Sequence, residues 1–275
     1  MSQTVRFFVT IASLPVLAFA VPGLSAYAAE GCSISQGLSQ DVEKFIEESE
    51  VCLKGAPDMQ VRDSVASELA RLTDVARTGA GRSQLTELTS LREAAQIHAM
   101  DMAARGYAAH YDPEGRSHVD RVRLLDRTSL FGDFGANVTI VPARATAKEI
   151  ELALLADKSN AENVLRRDFN RVGVGAVEKD GKLYVVQLFA EQVGELSAPL
   201  PARVTASQVV QVRLENPSME RVRWAVVAPN GSEMATGRSA RLTGLSGHDD
   251  RGFYTIDVKS QGGVSTLKGP AMMVE

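Results

Sequence analysis

Residues 91–121 read LREAAQIHAMDMAARGYAAHYDPEGRSHVDR, and the rest of the chain can be placed against this stretch. Leu91, Ala94, Ala95, His98 and Met102 recur at helical spacing, while Arg92, Gln96, Asp101 and Arg105 fall elsewhere, Asp101 standing four residues ahead of Arg105. The pattern predicts an amphipathic helix over 91–105 whose alanines admit a neighbouring layer at close range. Gly106 supplies the left-handed stop, because glycine takes that conformation without steric cost. Asp112-Pro113-Glu114-Gly115 then has the residue types of a type I turn. His110 is placed at the mouth of that turn.

Working outward, Val65, Leu69, Leu72 and Ala76 predict a helix over 63–80, and Ile150, Ala153 and Leu154 predict another over 146–155. Val172–Val177 and Leu183–Phe189 are β-prone runs separated by a segment containing Asp180-Gly181, a strong hairpin signal. After Glu195 the helical periodicity disappears. Ser197-Ala198-Pro199-Leu200-Pro201 reads as a linker (196–201), and short β-prone runs over 209–214, 222–227, 240–245, 253–258 and 265–268 follow between Gly, Pro and Asn turns. They predict a separate all-β sandwich over 202–275, with Trp224 in its core.

At the other end, Met1–Ala28 carries one charge, Arg6, then the apolar run Phe7–Val21 and Ala26-Tyr27-Ala28, as a secretory signal peptide with its cleavage site does. No later stretch is long and apolar enough to span a bilayer. Loss of the peptide takes the net charge from −4 to −5, which argues against nucleic acid as a partner. Arg121, Arg123, Arg127, Arg166, Arg167 and Arg171 read as solvated surface. Cys32 and Cys52 are the only cysteines. In an oxidising compartment they are expected to pair, tying a segment (29–58) that holds a short helix between them. Export to the periplasm or the extracellular space is the expected destination.

Several motifs together carry a resemblance. The alanine-rich helix with His98-Ala-x-Asp-Met, then Gly106-Tyr107, His110-x-x-Pro-x-Gly-x-Ser and an arginine, resembles the bacterial form of the secreted CAP domains, the cysteine-rich secretory protein/antigen 5/pathogenesis-related group. Gly135-Ala136-Asn137-Val138 is similar to the family's Gly-Glu-Asn motif, Asn160-x-x-Asn163-Val164-Leu165 to its His-Arg-x-Asn motif, and Val172–Gly175 with Tyr184–Phe189 to its closing strands. The resemblance covers about 59–193 and implies an α+β chain: a three-layer α-β-α sandwich as the CAP domain over 59–195, followed here by the small β-sandwich. Gly252–Ile256 resembles a late strand of immunoglobulin-like accessory modules.

The family site implied is a cleft of two histidines and two glutamates able to hold a divalent metal. His110 is the retained member. Ala136 stands at the glutamate position and Asn160 at the second histidine, and Glu149 and Glu151 are both candidates for the remaining acid. The expected ligand cleft therefore comprises His110, Ala136, Asn137, Asn160 and Asn163, with no metal and no cofactor. The leading expectation is a non-catalytic envelope binding module for a lipid, glycan or protein. The alternatives are a peptidase or cell-wall hydrolase with His110 as general base, aided by Ser117 or Asp112, and a structural or inhibitory partner of another exported protein. His98 reads as a core residue and His118 as an exposed loop histidine.

Overall fold

Local chemistry sets the ends of most helices. The computed structural model describes residues 31–205, 207–245 and 250–274, so the signal-peptide reading and part of the turn expected after 240–245 lie outside the described residues. Helix α1 (Val42–Lys54) is capped by Asp41, whose carboxylate accepts from Lys44 N–H. Helix α2 spans Asp63–Gly79. Helix α3 (Thr89–Arg105) ends at Gly106, which is left-handed at φ 71°. Ser117 with Asp120 and Thr146 with Glu149 form reciprocal capping boxes for α4 (His118–Leu125) and α5 (Ala147–Ala156). Asp157 caps α6 (Lys158–Leu165).

The strands are β1 (Gln60–Val61), β2 (Thr86–Glu87), β3 (Ser129–Pro142), β4 (Arg171–Lys179), β5 (Lys182–Leu196), β6 (Arg203–Val204), β7 (Val212–Leu214), β8 (Glu220–Val227), β9 (Glu233–Gly237), β10 (Asp250–Ser260) and β11 (Gly263–Val274). Asp180 and Gly181 both adopt positive φ, 49° and 72°, so β4 and β5 close as the predicted tight hairpin. Alternation along β5 sorts the core onto two faces. Tyr184, Val186, Leu188 and Ala190 pack with α1, α3 and α4, while Leu183, Val185 and Phe189 pack with α2, α5 and α6. This is the α-β-α arrangement.

Helix α3 is buried on all sides rather than amphipathic, since Gln96 and Asp101 are covered along with its apolar residues. It lies directly on β4. A Cβ at Gly173 would fall 2.2 Å from Arg92 N, and one at Gly175 would fall 2.4 Å from the carbonyl carbon of Ala95. Only hydrogen at these two positions lets helix and strand approach so closely.

The C-terminal strands depart from the expected separate sandwich. The path runs β1-β4-β5-β3-β11-β10-β8-β9 as one sheet, with β7 pairing β5 and β6 pairing β11. The physical reason lies in the segment read as a linker. Leu200 is buried, and the carbonyls of Leu200 and Pro201 accept from Arg127, at 2.6 and 2.8 Å from its Nη2. Arg123 on α4 reaches the carbonyls of Gly269 and Tyr254 at 2.6 and 2.7 Å, where the β10–β11 register shifts between Phe253 and Thr255. Trp224 is core, as expected, and donates from Nε1 to Ser239 O. Its cluster also takes in Leu130, Val193 and Leu196 from the long strands β3 and β5.

The arginines read as solvated surface divide. Arg166 and Arg167 are exposed, but Arg121 and Arg123 are buried and Arg127 and Arg171 half-buried. Burial pushes the Arg123 and Arg127 guanidinium groups down to about 10. They are spent on backbone carbonyls, an internal duty that residue type alone does not reveal.

Candidate functional site

His110 is exposed at the end of the segment that follows α3, and the Asp112–Gly115 turn closes just after it through Gly115 N–H to Asp112 O at 2.9 Å. Its neighbour is His118, the first residue of α4, with ring centroids 6.3 Å apart and the rings edge to face. His118 is half-buried rather than exposed, and its Nδ1 is buried with no partner among the described residues. Burial first, then the nearby His110 and Arg121, pushes the imidazole down to about 4. The signal for this placement was present: Ser117-x-x-Asp120 is a capping box, which makes residue 118 helical rather than loop.

His98 is core, as expected. Its Nε2 donates to Ala109 O at 2.7 Å, Nδ1 has no partner among the described residues, and burial pushes the ring down to about 3. A histidine held neutral in this way anchors the segment leading to His110.

The groups named as partners for His110 are engaged elsewhere. The Ser117 hydroxyl donates to Asp120 Oδ2 at 2.8 Å within the capping box. Asp112 is buried, and it accepts from Arg116 Nε and from Arg116 N–H, each at 2.8 Å, with Arg121 3.5 Å away. Asp112, Asp101 and Glu114 lie close enough to share a cation. Guanidinium groups already serve them: Arg105 pairs with Asp101 and Glu114, each at 2.6 Å, and Tyr107 O–H donates to Asp101 at 2.5 Å. The carboxyls of Asp112 and Glu114 are held below the usual range by these arginines, against the opposing effect of burial. The cluster is a three-carboxylate, three-arginine brace.

The remaining cleft positions form a second group. Asn163 Nδ2 donates to Ala136 O (3.1 Å) and Asn137 Oδ1 (2.9 Å), and Asn137 Nδ2 donates to Asn160 O (3.2 Å) and Gln187 Oε1 (3.1 Å). Gln187 in turn donates to Thr73 Oγ1 at 3.0 Å, next to Glu151. The structure therefore brings Ala136, Asn137, Asn160 and Asn163 together, whereas His110 pairs with His118. The Ala136 methyl packs in the α3-side core, while Asn137 faces the α2, α5 and α6 side.

The two candidate acids also separate. Glu149 is exposed and occupied in the α5 capping box. Glu151 is buried against Thr73 and Gln187, and burial raises its carboxyl. Neither has a contact with His110. Asn137, formally a glycosylation sequon with Thr139, is 1% exposed and sealed in this network. The expected disulfide joins Cys32 and Cys52.

A sheet with three helices on each face and this ordered set of motifs define a CAP-type α-β-α domain. Residues 70–189 match the family model "CAP: Cysteine-rich secretory protein family", and over this stretch the chain is a CAP domain protein. No match emerges among curated proteins. Similar solved structures include an extracellular protein containing an SCP domain from Bacillus anthracis, at 19% identity and TM-score 0.41, covering 53% of this chain and 43% of that one. An outer surface protein from Borrelia burgdorferi gives 16% identity and TM-score 0.41, covering 46% of this chain and 91% of that one. Hookworm platelet inhibitor gives 14% identity and TM-score 0.32, covering 46% and 69%. The chain thus spans under half the length of the Bacillus protein.

Proposed function

We propose that this chain is an exported CAP-domain protein acting as a non-catalytic binding module at the cell envelope, with a lipid, glycan or protein as ligand and the surface around His110 as the contact region. The observation that carries this reading is the state of the four family positions. Ala136 offers no donor atom, Asn160 offers a neutral amide, and the two acids that could complete the set serve a helix cap and a buried network. A site left with one exposed imidazole lacks the three strong ligands that catalytic zinc requires. Export is supported by the Cys32–Cys52 disulfide, a bond of oxidising compartments, and by the apolar leader at 7–21.

One observation favours the hydrolase alternative, namely the unpartnered His118 Nδ1 beside His110. Two imidazoles can start a metal site, but a third ligand is needed. Among the described residues the sole acid and histidine cluster fit for a cation is the braced Asp101, Asp112 and Glu114 group. Calorimetric titration of zinc into the disulfide-intact protein, His110→Ala and His118→Ala decides between the readings. The expected outcome is equal, weak binding by all three. Stoichiometric binding at micromolar affinity that disappears in both variants would move the hydrolase ahead.

A further inference from the structure

An open cavity of about 440 Å³ lies where α1, the β1–α2 corner and α3 meet. None of its lining residues belongs to the His110 region. Glu50 and Leu53 come from α1, Val61 and Asp63 from the corner, and Glu93 and Gln96 from α3. Gln96 is only 6% exposed, yet its carboxamide makes no hydrogen bond among the described residues. The carboxamide lines the open cavity rather than being sealed from it, so its oxygen and its N–H groups are left for whatever occupies that space.

Glu93 repeats the pattern. It is half-buried and has no ion-pair partner among the described residues; burial raises its carboxyl, Arg92 opposes, and the nearby Glu50 adds to the rise. Arg92 is turned to Glu87 at 3.4 Å, and Lys54 adds the other positive charge on the wall. The three acids outnumber these two cations, and Leu53 and Val61 supply apolar wall. An ammonium has three N–H donors and no acceptor. The Glu50 carboxylate from α1 and the Glu93 carboxylate and Gln96 amide oxygen from α3 line the same cavity and match that valence.

We propose that this cavity binds a primary ammonium on a short apolar stem, the nitrogen held by Glu50, Glu93 and the Gln96 carbonyl oxygen and the stem lying along Leu53 and Val61. A free alkylamine and a lysine side chain share this chemistry.

The test uses the disulfide-intact chain, labelled with ¹⁵N and titrated with n-pentylamine, 1-pentanol and Nα-acetyl-lysine methylamide. The expected result is saturable shifts of backbone amides in 50–54 and 92–96 with the two amines, and affinity for the alcohol lower by about tenfold or more, because charge-assisted bonds are the strong ones. Tighter binding of pentylamine assigns a free amine, and tighter binding of the acetylated lysine assigns a peptide-borne one. Glu93→Gln and, at an exposed position that leaves the fold undisturbed, Glu50→Gln should each weaken amine binding by about tenfold. Gln96→Leu should weaken it as well. The proposal is overturned by the absence of saturable shifts, by equal response to amine and alcohol, or by unchanged affinity in both carboxamide variants.

Discussion

Replacing Arg123 with methionine tests how much one buried side chain adds to the strand pairing that joins the C-terminal strands to the CAP domain. Arg123 is 8% exposed, stacks its guanidinium 4.5 Å from the Phe253 ring centre, and donates to Gly269 O and Tyr254 O. Both carbonyls sit at the irregularity between β10 and β11, where Pro270 has no N–H to offer. Methionine fills similar volume but donates nothing, so two carbonyls become unsatisfied at about 1–3 kcal/mol each. Relief from burying a charge works the other way, since burial already pushes this guanidinium down to about 10. The orphaned carbonyls should win, because the carbon chain cannot rehydrate them, giving a net loss of about 2–4 kcal/mol. Urea unfolding followed by tryptophan fluorescence reads Trp224 in the C-terminal layer, and circular dichroism reads the helices. The expected result is one transition by both probes, with a lower midpoint and an unchanged slope. A loss below about 0.5 kcal/mol, the range of ordinary surface substitutions, or a Trp224 transition that moves alone, would refute the argument that Arg123 helps to join the two parts.

Other expectations follow from the same structure. Gly175→Ala should destabilise by about 1–3 kcal/mol or more, because the new methyl meets α3 backbone rather than a movable side chain, and thermal melting reads the drop. Cys52→Ser opens a disulfide with a sequence separation of 20 and should cost about 3 kcal/mol by chain entropy, measured against the wild type in non-reducing urea. His98 and His118 are held down to about 3 and about 4, below the unfolded value of 6.5, so between about pH 4.5 and 6 the unfolded chain binds more protons than the native one. Stability is then full above pH 6.5 and falls as the pH is lowered, by up to about 2.7 kcal/mol per pH unit for two protons. His98→Gln should roughly halve the slope of unfolding free energy against pH, and an unchanged slope would show that His98 is not neutral in the fold.

Features governed by neighbours in sequence were legible in it. The Gly106 stop, the Asp180-Gly181 hairpin and the periodic faces of α2 and α5 depend on residues within a few positions and stand where the pattern put them, while the helix expected between the cysteines runs on through Cys52 to Lys54. What escaped was set by partners far along the chain. Arg77 ends α2 as one more basic residue in the sequence, yet it is fully buried and donates to the carbonyls of Ser83, Val164, Arg166 and Phe169. Arg123 and Arg127 meet carbonyls more than 70 residues away. Nothing in a window of ten residues distinguishes such an arginine from a solvated one. The proline-bearing segment misled for a related reason: Pro199 and Pro201 remove N–H donors but leave carbonyls, and Arg127 uses the carbonyl of Pro201 together with that of Leu200.

The same distinction applies to the motif residues. Asn137 and Asn163 belong to the motifs read in the sequence, and their amides bind Ala136 O, Asn160 O and Gln187 across β3, β5 and α6, with Thr73 and Glu151 extending the chain of bonds to α2 and α5. A buried amide network of this kind fixes the register of strands and helices, because breaking one link strands several polar groups at once. These asparagines would be required in an enzyme and in a binding protein alike. They therefore speak for the fold and are silent on chemistry. The proposed reading rests on positions 110, 136 and 160, and at 136 the side chain is a methyl packed into the α3-side core, 5% exposed. A glutamate introduced there would have to displace part of that core or bury its charge. Restoring the motif letter alone should thus destabilise the protein before it creates a ligand. For that reason the substitutions that test the proposed contact region are at His110 and His118, which make no bond to the asparagine network.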